Sequence, residues 1–387
     1  MNSAHAPHRH THNFSDILHA ISTFLKSNAV LVIAAALAFS TSLIVPPDAE
    51  YLGYFDFRTL TCLFCTLAVI CALKGIGFFS FLAKKIVVGT GNLRMAVLAL
   101  VYITFIGSML IANDMALLTF LPLGFFVLEA TGRREYMAFT FIMQNISANL
   151  GGMLTPFGNP QNLFLFSRFE IPTGQFILTM LPPFLISTAL ITLSCIIFVK
   201  PLKLSLENND EHKLPLLRTA LYLVLFAFSI FIVFRVIPYV TGLIVIPLAL
   251  LFLDRRALLR VDYGLLLTFV CFFIFAGNMG RIDAVRDLFS SLLEKNTLMV
   301  SSLSCQLISN VPTSILMSQF TTNWRELLVG VNIGGAGTLI ASLASLITFK
   351  EYSHHEPRKV GFYIFLFSVI NFAFLGILLF AESFILG

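Results

Sequence analysis

The seven residues Asn149-Leu150-Gly151-Gly152-Met153-Leu154-Thr155 return as Asn332-Ile333-Gly334-Gly335-Ala336-Gly337-Thr338, once in each half of the chain. Each copy interrupts a long apolar stretch. Paired glycines and side-chain amides leave polar groups that hydrocarbon does not satisfy, so such a break survives only where it is buried in protein or lines a wet cavity. Two matched breaks in the two halves point to a binding site at the interface of an inverted repeat. A second polar interruption precedes each one: Ala112-Asn113-Asp114 before the first, Ser309-Asn310-Val311-Pro312-Thr313 before the second.

Composition places these stretches in a membrane. Hydrophobic residues make up 57% of the chain, charged residues 12%, and the mean hydropathy is +0.89. A soluble domain carries roughly 25% charged residues. Apolar runs of about 17 to 25 residues recur, long enough to cross a hydrocarbon core of about 30 Å. The expectation is an all-α polytopic membrane protein with no sizeable soluble domain. The first apolar run opens near Asn28, behind a polar leader, and reads as a span rather than a cleavable signal peptide. The net charge of +5 says nothing about nucleic acid, because in a membrane protein the position of the positive charges sets orientation, and no nucleic-acid partner is expected. Cys62 and Cys65 are spaced Cys-x-x-Cys. On an apolar helix without further ligands they read as small buried hydrophobes, not a redox or metal pair.

Full spans are expected at 28–45, 57–73, 136–168, 173–199, 216–236, 237–253, 263–279, 324–349 and 360–385. The apolar segments 94–130 and 296–320 are broken at their middles and read as re-entrant hairpins. With the N-terminus inside, eighteen of the 25 lysines and arginines fall on the inside, the expected bias. An ordinary span at 94–130 would invert everything after it and spoil that bias. The halves then match in reverse. A first inverted repeat covers 28–199, with hairpin 94–130 and broken helix 136–168. A second covers 237–387, with hairpin 296–320 and broken helix 324–349. A cytoplasmic polar leader (1–27) precedes them, and a cytoplasmic loop with a linking helix (200–236) joins them. The reading is a multi-pass protein of the cell inner (plasma) membrane, N-terminus cytoplasmic and C-terminus outside.

Of the twenty acidic residues, Asp114 alone lies deep, at the tip of the first hairpin, with no lysine or arginine at its depth. An ionisable residue inside a membrane is expensive and marks a functional site. Aspartate also caps helices, and a cap on a second hairpin helix beginning near Met115 would still point into a cavity. Around Asp114 the repeat gathers Asn113, Asn149, Thr155, Gly158, Asn159, Asn162, Ser309, Asn310, Thr313, Asn332, Gly335, Thr338 and Ser342. Their neutral oxygens and unwound carbonyls suit a sodium ion, or a proton shared with Asp114. Helix N-termini that start after each break suit an anion. The coupling-ion set is Asp114, Asn113, Asn149, Asn310 and Asn332, with sodium at Asn113, Asp114, Asn149 and Asn310. The substrate set is Asn113, Thr155, Gly158, Asn159, Asn162, Ser309, Asn310, Thr313, Gly335 and Thr338. No cofactor beyond the coupling ion is expected. His5, His8, His10 and His12 read as part of a disordered polar tail. The chain carries no zinc-protease motif, phosphate loop or nucleophile elbow, so an enzyme is not expected.

At these residues the chain resembles the ion-transporter superfamily, which includes arsenite permeases, certain sodium/proton antiporters and the divalent-anion/sodium symporters. ANDMALLTFLP (112–122) is similar to the arsenite-permease hairpin, NLGGMLTPFGNPQN (149–162) to the signature of citrate-transporter-like members, and SNVPTSIL (309–316) to the second hairpin tip. The resemblance implies scaffold and transport domains, alternating access and a homodimer in the bilayer. It also implies ligands at Asn113, Asn149, Thr155, Asn159, Asn162, Asn310, Thr313, Asn332 and Thr338. Dicarboxylate symporters carry Ser-Asn-Thr at both tips, whereas here the tips read Ala112-Asn113-Asp114 and Ser309-Asn310-Val311, which argues against a dicarboxylate. The expected function is proton- or sodium-coupled transport of a small inorganic or organic anion or a neutral oxyacid. The alternatives are sodium/proton antiport and arsenite or antimonite efflux.

Overall fold

Asp56 and Asp262 set where the long apolar helices that open at Phe57 and Tyr263 begin. Each accepts a backbone N–H three residues on, from Thr59 at 2.9 Å and from Leu265 at 2.9 Å, which satisfies one of the orphan donors of a helix start. The computed structural model describes residues 28–204 and 214–386. The histidine-bearing leader and part of the 200–236 loop lie outside the described residues.

In chain order the helices are α1 (Ala29–Ile44), α2 (Phe57–Gly75), α3 (Phe78–Val88), α4 (Leu93–Ile111), α5 (Asn113–Ala130), α6 (Met137–Gly151), α7 (Pro160–Arg168) and α8 (Thr173–Phe198). They continue with α9 (Leu216–Val233), α10 (Tyr239–Leu259), α11 (Tyr263–Gly280), α12 (Asp283–Ile308), α13 (Asn310–Met317), α14 (Trp324–Ile333), α15 (Leu343–His355) and α16 (Val360–Ile385). Among the described residues the only β pairing is an isolated bridge between Asn92 and Lys203. Seven helices are long and apolar enough to cross a membrane, so the chain is an all-α polytopic membrane protein. Both arms of the first hairpin, α4 and α5, are among the seven.

Helices exchange partners between the halves. α1 packs on α11, and α10 packs on α2. Asn278 of α11 donates to Thr41 at 3.2 Å and Ser42 at 3.3 Å of α1. Just past α11, Arg281 holds the α1–α2 loop through Asp48 at 2.7 Å and Glu50 at 3.4 Å. The second pieces of the broken helices cross in the same way: α7 packs on α13 and α14, while α15 packs on α5 and α6.

The two hairpins are alike at their tips and unequal in length. Asn92 caps α4 by accepting the Met95 N–H at 3.0 Å, and Asn296 does the same for Met299 at 2.7 Å. At Asn296 the backbone of α12 leaves helical geometry (φ −165°, ψ 89°), which divides the helix into an N-terminal stretch and the arm that leads to Ser309. The arms of the first hairpin run 19 and 18 residues, whereas α13 has only 8. The second broken helix was expected to end at 349, but α15 continues to His355. Its last turn carries the polar residues Glu351, His354 and His355, whose helical character an apolar-run criterion does not see.

Candidate functional site

The two hairpin tips are built alike from the backbone up. Ala112 (φ 63°) and Ser309 (φ 72°) both turn the chain through positive φ. The next residue then donates its N–H to the facing break, Asn113 to the Gly158 carbonyl at 3.2 Å and Asn310 to the Ala341 carbonyl at 2.9 Å. Each asparagine side chain folds back to accept the following N–H, that of Asp114 or Val311, at 2.9 Å in both cases. The threonine closing each repeat copy donates to the hairpin arm, Thr155 to the Met109 carbonyl at 2.7 Å and Thr338 to the Gln306 carbonyl at 3.0 Å. Orphan donors of one element thus meet orphan acceptors of the other, as membrane-buried backbone requires.

The glycine pairs permit this approach. A Cβ on Gly152 would lie 2.4 Å from Asn159 Oδ1 and 2.9 Å from the Gly158 carbonyl oxygen. A Cβ on Gly335 would lie 3.1 Å from Asn310 Nδ2.

Between the tips a chain of buried amides joins the halves. Asn113 Nδ2 donates to Asn149 Oδ1 at 3.1 Å, and Asn149 Nδ2 donates to Ser342 Oγ at 3.0 Å. Asn159 Nδ2 donates to Asn332 Oδ1 at 3.1 Å and to the Asn149 carbonyl at 3.1 Å. Asn332 Nδ2 donates to Asn162 Oδ1 at 2.6 Å. Asn149 and Asn332 are the repeated asparagines, and each takes its partner from the other half: Ser342 for Asn149, Asn159 for Asn332. The structure therefore brings Asn113, Asn149, Asn159, Asn162, Asn332 and Ser342 into one network, with Asn310 Nδ2 beside it at Gly335.

The remaining expected residues are placed differently. Thr155 and Thr338 have their hydroxyl protons on the hairpin carbonyls, which leaves only oxygen lone pairs for a ligand. Thr313 donates to the Ser309 carbonyl in its own helix at 2.7 Å. Asn162 Nδ2 faces the carbonyls of Gly152, Met153 and Thr155 at 3.2 to 3.3 Å, so its amide holds the break in shape. Asp114 does not cap a helix starting near Met115. α5 starts at Asn113, and Asp114 sits in its first turn. One carboxylate oxygen, Oδ1, is buried without a hydrogen-bond partner. Asn159 Oδ1 and Gln161 Oε1 are buried acceptors of the same kind.

Three polar groups go beyond the sequence reading. Gln161 donates to Asn332 Oδ1 at 3.3 Å. Gln306 clamps the second break, donating to the Gly334 and Ala336 carbonyls at 2.8 and 3.1 Å and accepting the Thr338 N–H at 2.8 Å. Asn145 donates to Ser345 at 3.3 Å. Each lies outside the repeated string, among other polar residues, where residue type alone does not mark which backbone or amide it will meet. Among the described residues no group of three or more His, Cys, Asp and Glu side chains could hold a metal ion. The donors brought together here are amide, hydroxyl and carbonyl oxygens, with the Asp114 carboxylate next along the chain from Asn113, a set that suits a hard monovalent cation or a proton.

Comparison with known proteins adds to this geometry. The family described as Citrate transporter matches residues 17–323. An uncharacterized transporter of Methanocaldococcus jannaschii is 33% identical over 304 residues, 78% of this chain and 82% of that protein. An inner membrane protein of Escherichia coli is 26% identical over 324 residues, 81% of this chain and 84% of that protein. A silicon efflux transporter of Oryza sativa is 31% identical over 143 residues, 37% of this chain and 29% of that protein.

Proposed function

The chain belongs to the citrate transporter family, and from that membership we propose an ion-coupled secondary active transporter of a small anion or oxyacid that works by alternating access, with Asp114 as the coupling group. One observation carries the reading: a carboxylate oxygen of Asp114 is buried without a partner at a hairpin tip, beside a network of neutral amides. In a low-dielectric site a bare carboxylate is unfavourable unless it is protonated or paired with a cation. Proton or sodium binding at Asp114 therefore lets an anion approach, and release of the ion repels it, which is coupling. The coupling set is Asp114, Asn113, Asn149, Asn310 and Asn332. Asn113, Thr155, Gly158, Asn159, Ser309, Asn310, Thr313, Gly335 and Thr338 face the substrate.

The same reading takes residues 28–199 and 237–387 as inverted repeats, α4–α5 and the α12–α13 tip as re-entrant hairpins, the N-terminus as cytoplasmic, the inner membrane as the location and the assembly as a homodimer. The silicon efflux relative favours a second substrate class, a neutral oxyacid such as silicic or arsenous acid, moved outward. Sodium/proton antiport is the third.

Thermal stability of the detergent-purified protein against sodium, pH, oxyanions, carboxylates and arsenite tests these together, since a ligand of the folded state raises Tm by mass action. The expected result is a shift with one anion or oxyacid that needs sodium or low pH and is lost in Asp114→Asn. In proteoliposomes that variant should lose gradient-driven uptake. Undiminished sodium- or pH-dependent transport by Asp114→Asn would sink the coupling role, and a sodium shift with no anion response would favour the antiporter.

A further inference from the structure

Where α2 and α10 end and α9 begins, the chain forms a cavity of about 480 Å³ lined by four arginines, Arg218, Arg255, Arg256 and Arg260, and one carboxylate, Asp254. Gly75 belongs to its wall: a Cβ there would lie 3.4 Å from Arg260 Nη1 and 3.8 Å from Asp254 Oδ2, so the wall is bare backbone where the guanidinium converges. At Asp254 the backbone of α10 breaks (φ −160°, ψ 79°), and Asp254 Oδ1 accepts the Arg256 N–H at 3.1 Å. The break turns the last part of the helix so that Arg255, Arg256 and Arg260 share one cavity with Arg218 of the neighbouring helix. Among the described residues that line it, four bases face one acid, so the lining is basic.

Apolar surface meets the pocket. Leu251 is 54% and Phe252 81% exposed on α10, and Leu216 is 84% and Leu217 75% exposed on α9. In a polytopic protein these side chains face acyl chains, and the arginines lie at the polar end of the same helices. A soluble anion would need only the arginines, whereas an amphiphile uses both surfaces. We propose that this cavity is a binding site for the phosphate headgroup of an anionic phospholipid, whose acyl chains lie along α9 and α10. Guanidiniums take phosphate oxygens through paired N–H donors, and basic pockets at the helix ends collect anionic headgroups. The proposal rests on membrane embedding alone. It does not depend on the transport reading or on which end of the bundle is cytoplasmic.

The test is lipid titration of the full-length, detergent-purified protein, read as the rise in Tm. Phosphatidylglycerol or cardiolipin should raise Tm in a saturable way, and phosphatidylcholine should not. Arg255→Gln/Arg256→Gln/Arg260→Gln should weaken the apparent lipid affinity by about two orders of magnitude, near five-fold for each basic residue removed. Lys350→Gln/Arg358→Gln, which removes two charges elsewhere, should leave the affinity unchanged. If the triple variant does not fold, Arg218→Gln alone should give the single five-fold loss. Equal titrations of wild type and Arg218→Gln, or an equal loss in the Lys350/Arg358 control, would overturn the site. A stabilisation by inorganic phosphate or pyrophosphate matching that of the lipid would overturn a phospholipid as the occupant.

Discussion

Asn332 uses its whole side chain inside the protein. Its oxygen receives Asn159 and Gln161, and its nitrogen serves Asn162 and the Leu328 carbonyl at 2.8 Å. Removing it leaves several buried groups without partners, each worth about 1–3 kcal/mol. Asn332→Ala should lower Tm clearly and abolish any stabilisation by sodium or substrate, both readable in one melting series. The glycines should differ between the halves. Gly152→Ala meets Asn159 Oδ1 at 2.4 Å, while Gly335→Ala meets Asn310 Nδ2 at 3.1 Å. The first should abolish transport and the second only reduce it; the reverse order in a proteoliposome assay would show that Asn159 is not held where the structure has it. Outside the membrane, Arg281 beside Asp48 holds that carboxyl below its usual range near 3.8. A lowered folded value stabilises above the unfolded pKa, and the contribution is lost as pH falls through the folded one. Asp48→Asn should therefore reduce Tm slightly at pH 7, and the difference from wild type should close as the pH drops below about 4.

At the scale of elements, both hairpin tips depend on residues in a backbone region that glycine adopts more readily. Ala112 has φ 63° and ψ 149°, and Ser309 has φ 72° and ψ 158°. Such strain costs on the order of 1–3 kcal/mol, part of which glycine returns as unfolded-state entropy. Ala112→Gly should raise Tm by a few degrees, and a fall would show that the methyl is needed for packing. A second joint binds α5 to α15. His355 stacks on Phe125 at 3.6 Å between centroids and is 3.2 Å from Glu351, and Arg134 reaches both Glu129 and Glu356. Phe125→Ala should loosen α15 from α5, read as faster amide exchange in both helices.

Much of this was legible in residues 149–155 and 332–338. The doubled glycines and asparagines announced a paired site because few other pressures place amides in apolar runs, and the structure does join Asn149 to Ser342 and Asn159 to Asn332. What stayed hidden has physical reasons. Asn162 looks like a ligand in sequence, yet its amide turns onto the carbonyls of Gly152, Met153 and Thr155, because residue type does not fix χ angles. Gln306 gave no sign of its clamp, since its partners are backbone carbonyls with no sequence signature. The crossing of α7 and α15 was likewise invisible, because an apolar stripe declares that a face is buried but not against which helix.

For the molecule as a whole, that crossing makes each half incomplete. α7 seats on α13 and α14, and α15 on α5 and α6, so both ends of the amide network need both halves. Residues 1–213 and 214–387 made as separate chains should be unstable singly. Together they should reassemble into a complex with the ligand response of the intact protein, measurable by co-purification and melting. Stable folding of the first fragment alone would contradict the crossing.

The same exchange shapes how the chain is made in a cell. As residues 28–204 leave the ribosome, Asn149 lacks Ser342 and Asn159 lacks Asn332, so part of the hydrogen bonding of these amides waits for the second half. The nascent chain must carry this unmet hydrogen bonding until α13 to α15 emerge. A stalled or truncated product would keep it unmet, the kind of feature that membrane chaperones and quality-control proteases recognise. The residues that form the working centre thus also time assembly, since the membrane form is completed only when the last third of the chain arrives.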